Sequence, residues 1–262
     1  MVIIAQLFAS LHQIIAIMLR LVTLVIMVAT YATATAQHSA SFFDAKMSEY
    51  NLVDITTLEG GEDILVELKY STEDNFVGED MYGELNRAYL EASFAKRVVQ
   101  AHLYLKKIHP EYRLLIYDAA RPISVQRYMR SVVEGTEFES FVADGSKGGR
   151  HNYGVAVDLT IAIADGTPLD MGAPFDDFSD IAAVKGTPDN SDPTTRTLAI
   201  YRAYAEEQVR KGTLTKEAAN NRLLLIEVMA SANLVPYRRE WWHFEELRSM
   251  SETRTKYKLL DF

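Results

Sequence analysis

The 262-residue chain contains no cysteine, so no disulfide can hold its fold together. A folded form must instead depend on a hydrophobic core, for which apolar residues supply 48% of the chain. The lack of cysteine also excludes a thiolate metal site and a cysteine nucleophile. Histidine and carboxylate side chains are therefore the ligands that a metal ion could use. The length suits one domain, or one domain with a long insertion.

The charge balance of the chain is acidic. It contains 27 Lys and Arg residues against 36 Asp and Glu residues, which gives a formal net charge of −9 at pH 7. Proteins that bind nucleic acids neutralise phosphates with clustered Lys and Arg side chains. We therefore expect no nucleic-acid partner.

Residues 1–36 differ in composition from the rest of the chain. Arg20 is their only charged residue, and a mostly apolar stretch runs from Ile14 to Ala29. The small residues of Tyr31-Ala-Thr-Ala-Thr-Ala36 follow, in the A-x-A pattern that signal peptidase prefers. The segment thus has the order of parts that is typical of a signal peptide.

This pattern predicts a signal peptide at residues 1–36 and a mature domain at residues 37–262. Met18 stands just before Arg20 and the apolar core, so we predict that translation begins there. We expect the mature protein to be exported, to reside in the periplasm and to have no stable membrane insertion. The alternative is a retained membrane anchor, because the apolar region counted from Met1 is long enough to span a bilayer.

Apolar spacing in the mature chain predicts a small sheet flanked by helices. Strand-like alternation or β-branched content marks three segments: 63–70, 112–117 and 155–163. Helical spacing marks four: 86–109, 123–134, 195–211 and 216–232. Residues 164–194 are rich in Asp, Gly, Pro, Ser and Thr and are predicted to form a long loop. The fold class that follows is α+β in a single domain.

The six histidines separate into two groups. Four have an ordinary structural interpretation, either in or beside the signal segment or on the predicted helix 86–109: His12, His38, His102 and His109. His151 and His243 remain as candidate metal ligands.

His151 begins a segment that ends in Asp158. Seven extended steps would separate the two residues by roughly 23 Å, so they can share a metal only if the chain reverses between them. The residues Asn152-Tyr153-Gly154 favour such a reversal. Asp158 lies within an apolar strand, where a charge is costly unless it is paired or bound to metal. The spacing alone leaves both a metal site and a structural ion pair open.

Glu240-Trp-Trp-His243 is the second candidate segment. Residues three apart share a face on a helical turn but point to opposite faces of a flat strand. The pair must therefore lie on a turn or bent strand if His243 is a metal ligand and Glu240 acts beside it. Alternatively, the two tryptophans anchor the core and the charged residues merely flank them.

Five segments, in order and spread over nearly the whole mature chain, resemble zinc D-Ala-D-Ala dipeptidases of the vancomycin-resistance (VanX) type. They are Tyr70-Ser-Thr-Glu-Asp-Asn-Phe76, Tyr117-Asp-Ala-Ala-Arg-Pro122, His151-Asn-Tyr-Gly-Val-Ala-Val-Asp-Leu-Thr160, Met171-Gly-Ala-Pro-Phe-Asp176 and Glu240-Trp-Trp-His243. The resemblance implies the D-Ala-D-Ala peptidase and Hedgehog-like fold, whose small, mostly antiparallel sheet is flanked by helices. It also implies one zinc ion per chain.

Position by position, the resemblance assigns roles to seven residues. The zinc ligands of the family match three: His151, Asp158 and His243. The groups that act on the substrate match four: the catalytic carboxylate Glu240, the arginine that stabilises the tetrahedral intermediate, Arg121, and the residues that receive the substrate's ammonium group, Asp176 and Tyr70. Asp177 stands beside Asp176 and could take its place. Two positions depart from the family, since Gly149 replaces a serine and Glu73 an aromatic residue.

The resemblance implies zinc-dependent hydrolysis of the free dipeptide D-Ala-D-Ala, in the turnover or scavenging of cell-wall peptides. One alternative is a D,D-carboxypeptidase or endopeptidase that acts on peptidoglycan stem peptides. Asp176 and Tyr70 favour the dipeptidase, because those relatives act on substrates without a free amino group there. Another is a non-catalytic, zinc-dependent module that binds wall peptides. Such a module needs neither Glu240 nor Arg121.

Overall fold

The computed structural model describes residues 40–185 and 198–262. The predicted signal peptide lies outside these residues, as do the end of the predicted loop and the first residues of the predicted helix 195–211. Among the residues described, none of the helices has both the length and the apolar character needed to cross a membrane.

The described parts of the chain contain six α-helices and seven strands. The helices are α1 (Ala40–Glu49), α2 (Ala92–Ile108), α3 (Ile123–Val133), α4 (Leu198–Arg210), α5 (Lys216–Ala230) and α6 (Met250–Lys256). The strands are β1 (Leu52–Asp54), β2 (Leu65–Val66), β3 (Tyr89–Glu91), β4 (Tyr112–Asp118), β5 (Ala156–Ile163), β6 (Leu234–Pro236) and β7 (His243–Glu246). This content confirms the predicted α+β class.

The main sheet has five strands in the order β2-β4-β5-β7-β6. β2 pairs with β4 in parallel, whereas the other three pairings are antiparallel. The expectation of a small, mostly antiparallel sheet is therefore confirmed. β5 is the central strand, and seven of its eight residues are buried. A central strand covered on both faces is a rigid base for side chains at its ends.

Helices α2 and α5 pack against each other and contact strands β4 and β5, respectively. α2 buries a stripe of apolar residues at three- and four-residue spacing: Phe94, Val98, Ala101 and Leu105. The burial of a large apolar side chain contributes about 1.5–3 kcal/mol to stability. The hydroxyl of Thr215 accepts a hydrogen bond from the backbone N–H of Ala218 and so caps α5, as its position before the helix predicts.

Two predicted boundaries are wrong. The strand expected at 63–70 is reduced to β2, since the chain turns into a short 3₁₀ helix at Lys69–Ser71. The carbonyl of Tyr70 there accepts hydrogen bonds from two backbone N–H groups of a neighbouring loop instead of a strand partner. Helix α2 begins six residues later than expected, because Glu91 ends strand β3 and caps the helix with its carboxylate.

Candidate active site

Three adjacent elements bring the candidate metal ligands together. Asp158 on β5 lies directly opposite His243 on β7, and His151 lies in the 3₁₀ helix that precedes β5. One ligand atom from each residue lies within 4.8 Å of the others. Oδ1 of Asp158 is 2.9 Å from Nδ1 of His243 and 3.4 Å from Nε2 of His151. The three side chains could therefore hold one ion.

The chain reverses between His151 and Asp158 at Gly154. This glycine has φ of 68°, in the left-handed region that residues with a Cβ rarely adopt. An added Cβ would also lie 2.9 Å from Leu52 Cδ2 and 3.1 Å from the Glu91 nitrogen, so there is no room for one. The turn places His151 over the first half of β5, where the side chain of Asp158 points.

Hydrogen bonds orient both histidines toward the cluster. Nδ1 of His151 is 2.7 Å from the carbonyl oxygen of Ala119, to which it can donate, and this leaves Nε2 free to bind a metal. Nε2 of His243 is 3.3 Å from the carboxylate of Glu245, and Glu245 accepts a hydrogen bond of 2.5 Å from Nε of Arg150. Such outer hydrogen bonds are typical of metal-binding histidines.

The cluster favours a positive charge at its centre. Burial lowers the pKa of His243, but Asp158 and Glu245 outweigh burial and raise it to about 10. Oδ1 of Asp158 is buried and, although both histidine nitrogens lie close to it, it accepts no hydrogen bond of suitable geometry from the described residues. The facing nitrogens of the two histidines are 3.2 Å apart, close to the roughly 3.3 Å expected for two nitrogen ligands of one tetrahedral zinc. Two imidazole nitrogens and a carboxylate therefore fit a zinc ion.

Glu240 lies in the turn that joins β6 to β7, three residues before His243. The backbone N–H of Glu240 donates to the carbonyl of Tyr237, and the two strands close around this turn. The turn lets Glu240 and His243 approach, with Oε2 of Glu240 3.9 Å from Nδ1 of His243. Burial raises the pKa of Glu240 to about 7, which is suitable for a group that takes up and releases a proton near neutral pH.

Arg121 is held rigidly in the wall of the site. Its side chain donates to the carboxylate of Asp118 at 2.5 Å and to the side-chain oxygen of Gln126 at 2.9 Å. Asp118 is completely buried and also accepts a hydrogen bond of 2.5 Å from the hydroxyl of Tyr82. Arg121 is only 7% exposed, so its contact with Asp118 is a buried pair within the cavity wall and not an ion pair of the surface.

Tyr70 and Asp176 form the other charged end of the site. The Tyr70 hydroxyl is 3.1 Å from both carboxylate oxygens of Asp176 and donates to them. Burial, together with the charge of Asp158, raises the pKa of Asp176 well above its ordinary value. A cationic group placed beside Asp176 would favour its charged form. Asp177 instead accepts a hydrogen bond from the backbone N–H of Ser179, so Asp176 is the acid that faces the site.

One cavity of about 380 Å³ joins all of these groups. Its lining includes all seven residues to which the family resemblance assigns a role: Tyr70, Arg121, His151, Asp158, Asp176, Glu240 and His243. The side chains thus converge from segments that span more than 170 positions of the chain. Gly149 also lines the cavity, and an added Cβ there would meet only Ala143 Cβ, at 3.5 Å. A Cβ at this position would therefore meet only an ordinary van der Waals contact.

The residues that hold the site groups in place were not predicted from the sequence. Glu245 and Arg150, which orient His243, were not singled out, and neither were Tyr82 and Gln126. Glu245 has a readable signal, because it stands two residues after His243 and must share its face on a strand. Tyr82 has none, since it lies in a loop far from Asp118 in the chain.

Comparison with known proteins agrees with this site. A profile of the peptidase family described as D-ala-D-ala dipeptidase matches residues 48–200 and 202–258. The D-alanyl-D-alanine dipeptidase of Escherichia coli strain K12 is 30% identical over 187 residues, which cover 70% of this chain and 79% of that protein. The D-alanyl-D-alanine dipeptidase of Synechocystis sp. strain PCC 6803 is 28% identical over 200 residues, covering 65% of this chain and 73% of that protein.

Proposed function

Since this chain belongs to the D-Ala-D-Ala dipeptidase family of peptidases, we propose that it hydrolyses the free dipeptide D-Ala-D-Ala to D-alanine with the aid of a zinc ion. The observation that carries the proposal is the single cavity, which contains the candidate metal ligands, a buried acid and a buried arginine together with an acidic end. A peptidase needs groups that bind the metal, transfer a proton, stabilise the oxyanion and bind the substrate. A free dipeptide is small enough to enter a cavity of about 380 Å³.

His151, Asp158 and His243 would hold the zinc ion. When bound, zinc supplies Lewis acidity, which polarises the scissile carbonyl and makes water more acidic. Glu240 accepts the proton of the attacking water and then transfers it to the departing amine, so that the C–N bond breaks with a neutral leaving group. Burial, which raises the pKa of this carboxylate, favours its uptake of the proton.

Arg121 stabilises the oxyanion that forms when water adds to the carbonyl. Its guanidinium is buried and fixed by Asp118 and Gln126, so little reorganisation is needed as the negative charge develops. Its Cζ also lies 4.8 Å from the centre of the Tyr70 ring, which further restricts its position. These contacts support a catalytic role over simple binding.

Asp176 and Tyr70 bind the ammonium group of the dipeptide. The carboxylate supplies the charge, and the Tyr70 hydroxyl keeps it aimed at the site. The raised pKa of Asp176 reflects burial and a nearby negative charge, both of which a substrate cation compensates. A peptide whose amino end is blocked cannot make this interaction. The acidic end therefore favours a dipeptidase over a carboxypeptidase.

Amine release from D-Ala-D-Ala by the purified protein tests the proposal. We expect activity with zinc, none with a chelator, and restoration when zinc is added back. Glu240→Gln should retain zinc and lose at least about 100-fold in kcat, the lower bound for a general base. Zinc binding without cleavage would support a binding module instead, and cleavage of N-acetyl-D-Ala-D-Ala in preference to the free dipeptide would support a carboxypeptidase.

We also propose that the enzyme acts outside the cytoplasm, on D-Ala-D-Ala released by wall turnover. The support is the signal-peptide pattern of residues 1–36. Cell fractionation, followed by determination of the mature N-terminus, tests this role. A periplasmic protein that begins near residue 37 is expected, and a cytoplasmic protein that retains residues 18–36 would contradict it.

A further inference from the structure

Three arginines line the cavity, and two of them are already neutralised. Arg121 is paired with Asp118 at 2.5 Å, and Arg150 with Glu245 at 2.5 Å. Within residues 40–185 and 198–262, Arg239 forms no ion pair with a carboxylate. It therefore carries a cavity-facing positive charge that these parts of the chain do not compensate at close range.

Arg239 acts electrostatically on Asp180, an acid that belongs to another ion pair. Arg239 contributes to the lowered pKa of Asp180, but the first cause of that shift is Lys185. The carboxylate of Asp180 is 2.7 Å from Nζ of Lys185 and is exposed to solvent. Arg239 and Asp180 thus interact only at longer range, where water screens the attraction.

Aromatic stacking positions the guanidinium of Arg239. Its Cζ lies 4.3 Å from the centre of the Phe141 ring. Phe141 in turn stacks on Phe178 with ring centres 4.5 Å apart and planes inclined by 20°. A guanidinium that lies over an aromatic face keeps the N–H groups of its edge available, in the fork that suits a carboxylate. Phe141, Phe178 and Arg239 all line the cavity.

A free dipeptide carries two opposite charges. The site has Asp176 for the ammonium end, but none of the catalytic groups is suited to the carboxylate end, since Arg121 serves the oxyanion and is already paired. Arg239 directly precedes Glu240, so its backbone lies next to the group that transfers the proton. We propose that Arg239 binds the C-terminal carboxylate of the dipeptide. This assignment rests on the proposed function.

The proposal makes Arg239 a specificity residue. With Asp176 at one end and Arg239 at the other, the cavity selects substrates by the distance between their two charged termini. A peptide extended at either end lacks one of these charges at the required place. The proposed preference for a free amino end would then be matched by a preference for a free carboxyl end.

The test compares D-Ala-D-Ala with D-alanyl-D-alaninamide, which lacks only the terminal negative charge. For the zinc-loaded wild type we expect kcat/KM to be about 10- to 100-fold higher for the acid, as befits hydrogen bonds to a charged group. Arg239→Met should lose this advantage. Its kcat/KM should decrease for the acid and stay within about twofold of the wild-type value for the amide. Arg239→Lys, which keeps the charge without the fork, should retain part of it.

Arg210→Met is the matched control, because Arg210 is an exposed arginine of α4 paired with Glu207. This variant should have the wild-type kcat/KM for both substrates. If Arg239→Met still prefers the acid as strongly as the wild type, or loses activity equally on both substrates, the assignment is overturned and the dipeptidase function stands. If the wild type with bound zinc cleaves neither substrate, the proposed function fails and the assignment fails with it.

The dissociation constant of D-Ala-D-Ala provides a second readout that does not depend on turnover. It is measured by calorimetry with Glu240→Gln alone and in combination with Arg239→Met. The double variant should bind the dipeptide about 10- to 100-fold more weakly. Equal binding by the two proteins would overturn the assignment.

Discussion

Asp158 on β5 and His243 on β7 lie directly opposite each other in antiparallel register, with Oδ1 of Asp158 2.9 Å from Nδ1 of His243. Asp118 on β4 is the partner of Asp158 on the other side. Three neighbouring strands therefore present a row of polar side chains on one face of the sheet. A slip of one residue in the β5–β7 register would send Asp158 to the opposite face and disperse the cluster.

This relationship predicts that Asp158 couples metal binding to stability. Zinc should raise the melting temperature of the wild type, because an ion that binds only the folded state stabilises it by about 4 kcal/mol at 1,000 times its Kd. Asp158→Asn should lose most of this increase, since it removes the charged ligand. Differential scanning fluorimetry with chelator and with excess zinc measures the effect. Asp177→Asn is the control, and an equal zinc-dependent increase in Asp158→Asn would contradict a ligand role.

Glu245 should determine how tightly the metal is held, although it does not lie in the ligand cluster. It accepts from His243 at 3.3 Å and is itself fixed by Arg150. Loss of such an outer hydrogen bond reduces metal affinity by about 10- to 100-fold. Competition with a chromogenic chelator should show this loss in Glu245→Gln. The neighbouring Glu246, which pairs with Arg97 and Arg248, provides a control variant that should keep wild-type affinity.

The loop that carries Asp176 depends on the buried Arg222. Its guanidinium donates to the carbonyl of Met171 at 2.6 Å and to that of Ile181 at 2.8 Å, on either side of Asp176. Arg222→Met leaves the buried carbonyl of Met171 and the partly buried carbonyl of Ile181 without their donor, which costs about 1–3 kcal/mol in the free energy of unfolding. It should also raise the KM for D-Ala-D-Ala, because Asp176 loses its fixed position.

Urea unfolding and steady-state kinetics measure the two effects of Arg222→Met. Replacement of the exposed Arg210 by Met is the control and should change neither quantity appreciably. An Arg222→Met variant as stable as the wild type, with an unchanged KM, would show that the guanidinium does not hold the loop.

A histidine remote from the site should make stability depend on pH. His102 is fully buried, accepts from the backbone N–H of Leu114 at 3.4 Å and contacts Asp63 at 2.9 Å through its other nitrogen. Burial lowers its pKa below the ordinary value of 6.5. The unfolded chain thus binds a proton more readily than the folded one, so that the free energy of unfolding decreases as the pH falls below about 6.5.

His102→Gln tests this linkage, because glutamine can also accept and donate but does not titrate. Between pH 7 and pH 5 the free energy of unfolding should decrease less in the variant than in the wild type. Urea unfolding in the presence of a metal chelator measures this difference. The ionisation of Asp63 does not affect this comparison. Although burial opposes its ionisation, Lys106 and His102 lower its pKa to about 2, so that its contribution persists throughout this range. Equal losses in the two proteins would contradict the prediction.

Local sequence patterns predicted the residues that line the site better than they predicted the elements beside them. His151, Asp158, Glu240 and His243 were candidates because few residue types bind metals without cysteine, but their spacing left a structural interpretation open and the family resemblance gave them their roles. The strand expected at 63–70 was too long, because β2 is a two-residue edge strand beside β4 and the apolar Tyr70 is buried from a 3₁₀ helix instead. Periodicity records burial, and burial does not require a strand.

Contacts between distant segments were beyond the sequence analysis for a different reason. Tyr82 with Asp118, and Arg222 with Met171, join residues that no local pattern relates. Each contact depends on the packing of complete elements. The residues that hold a site in place are therefore harder to identify from one sequence than the residues that act in it.

The most direct test of the central claim is the ratio of kcat/KM for D-Ala-D-Ala to that for N-acetyl-D-Ala-D-Ala, measured for the zinc-loaded wild type and for Asp176→Asn. We expect a ratio above about 100 for the wild type and a decrease of about 10- to 100-fold in Asp176→Asn, through loss of a charge-assisted hydrogen bond to the ammonium group. A wild-type ratio near one, or a ratio that Asp176→Asn leaves unchanged, would contradict it.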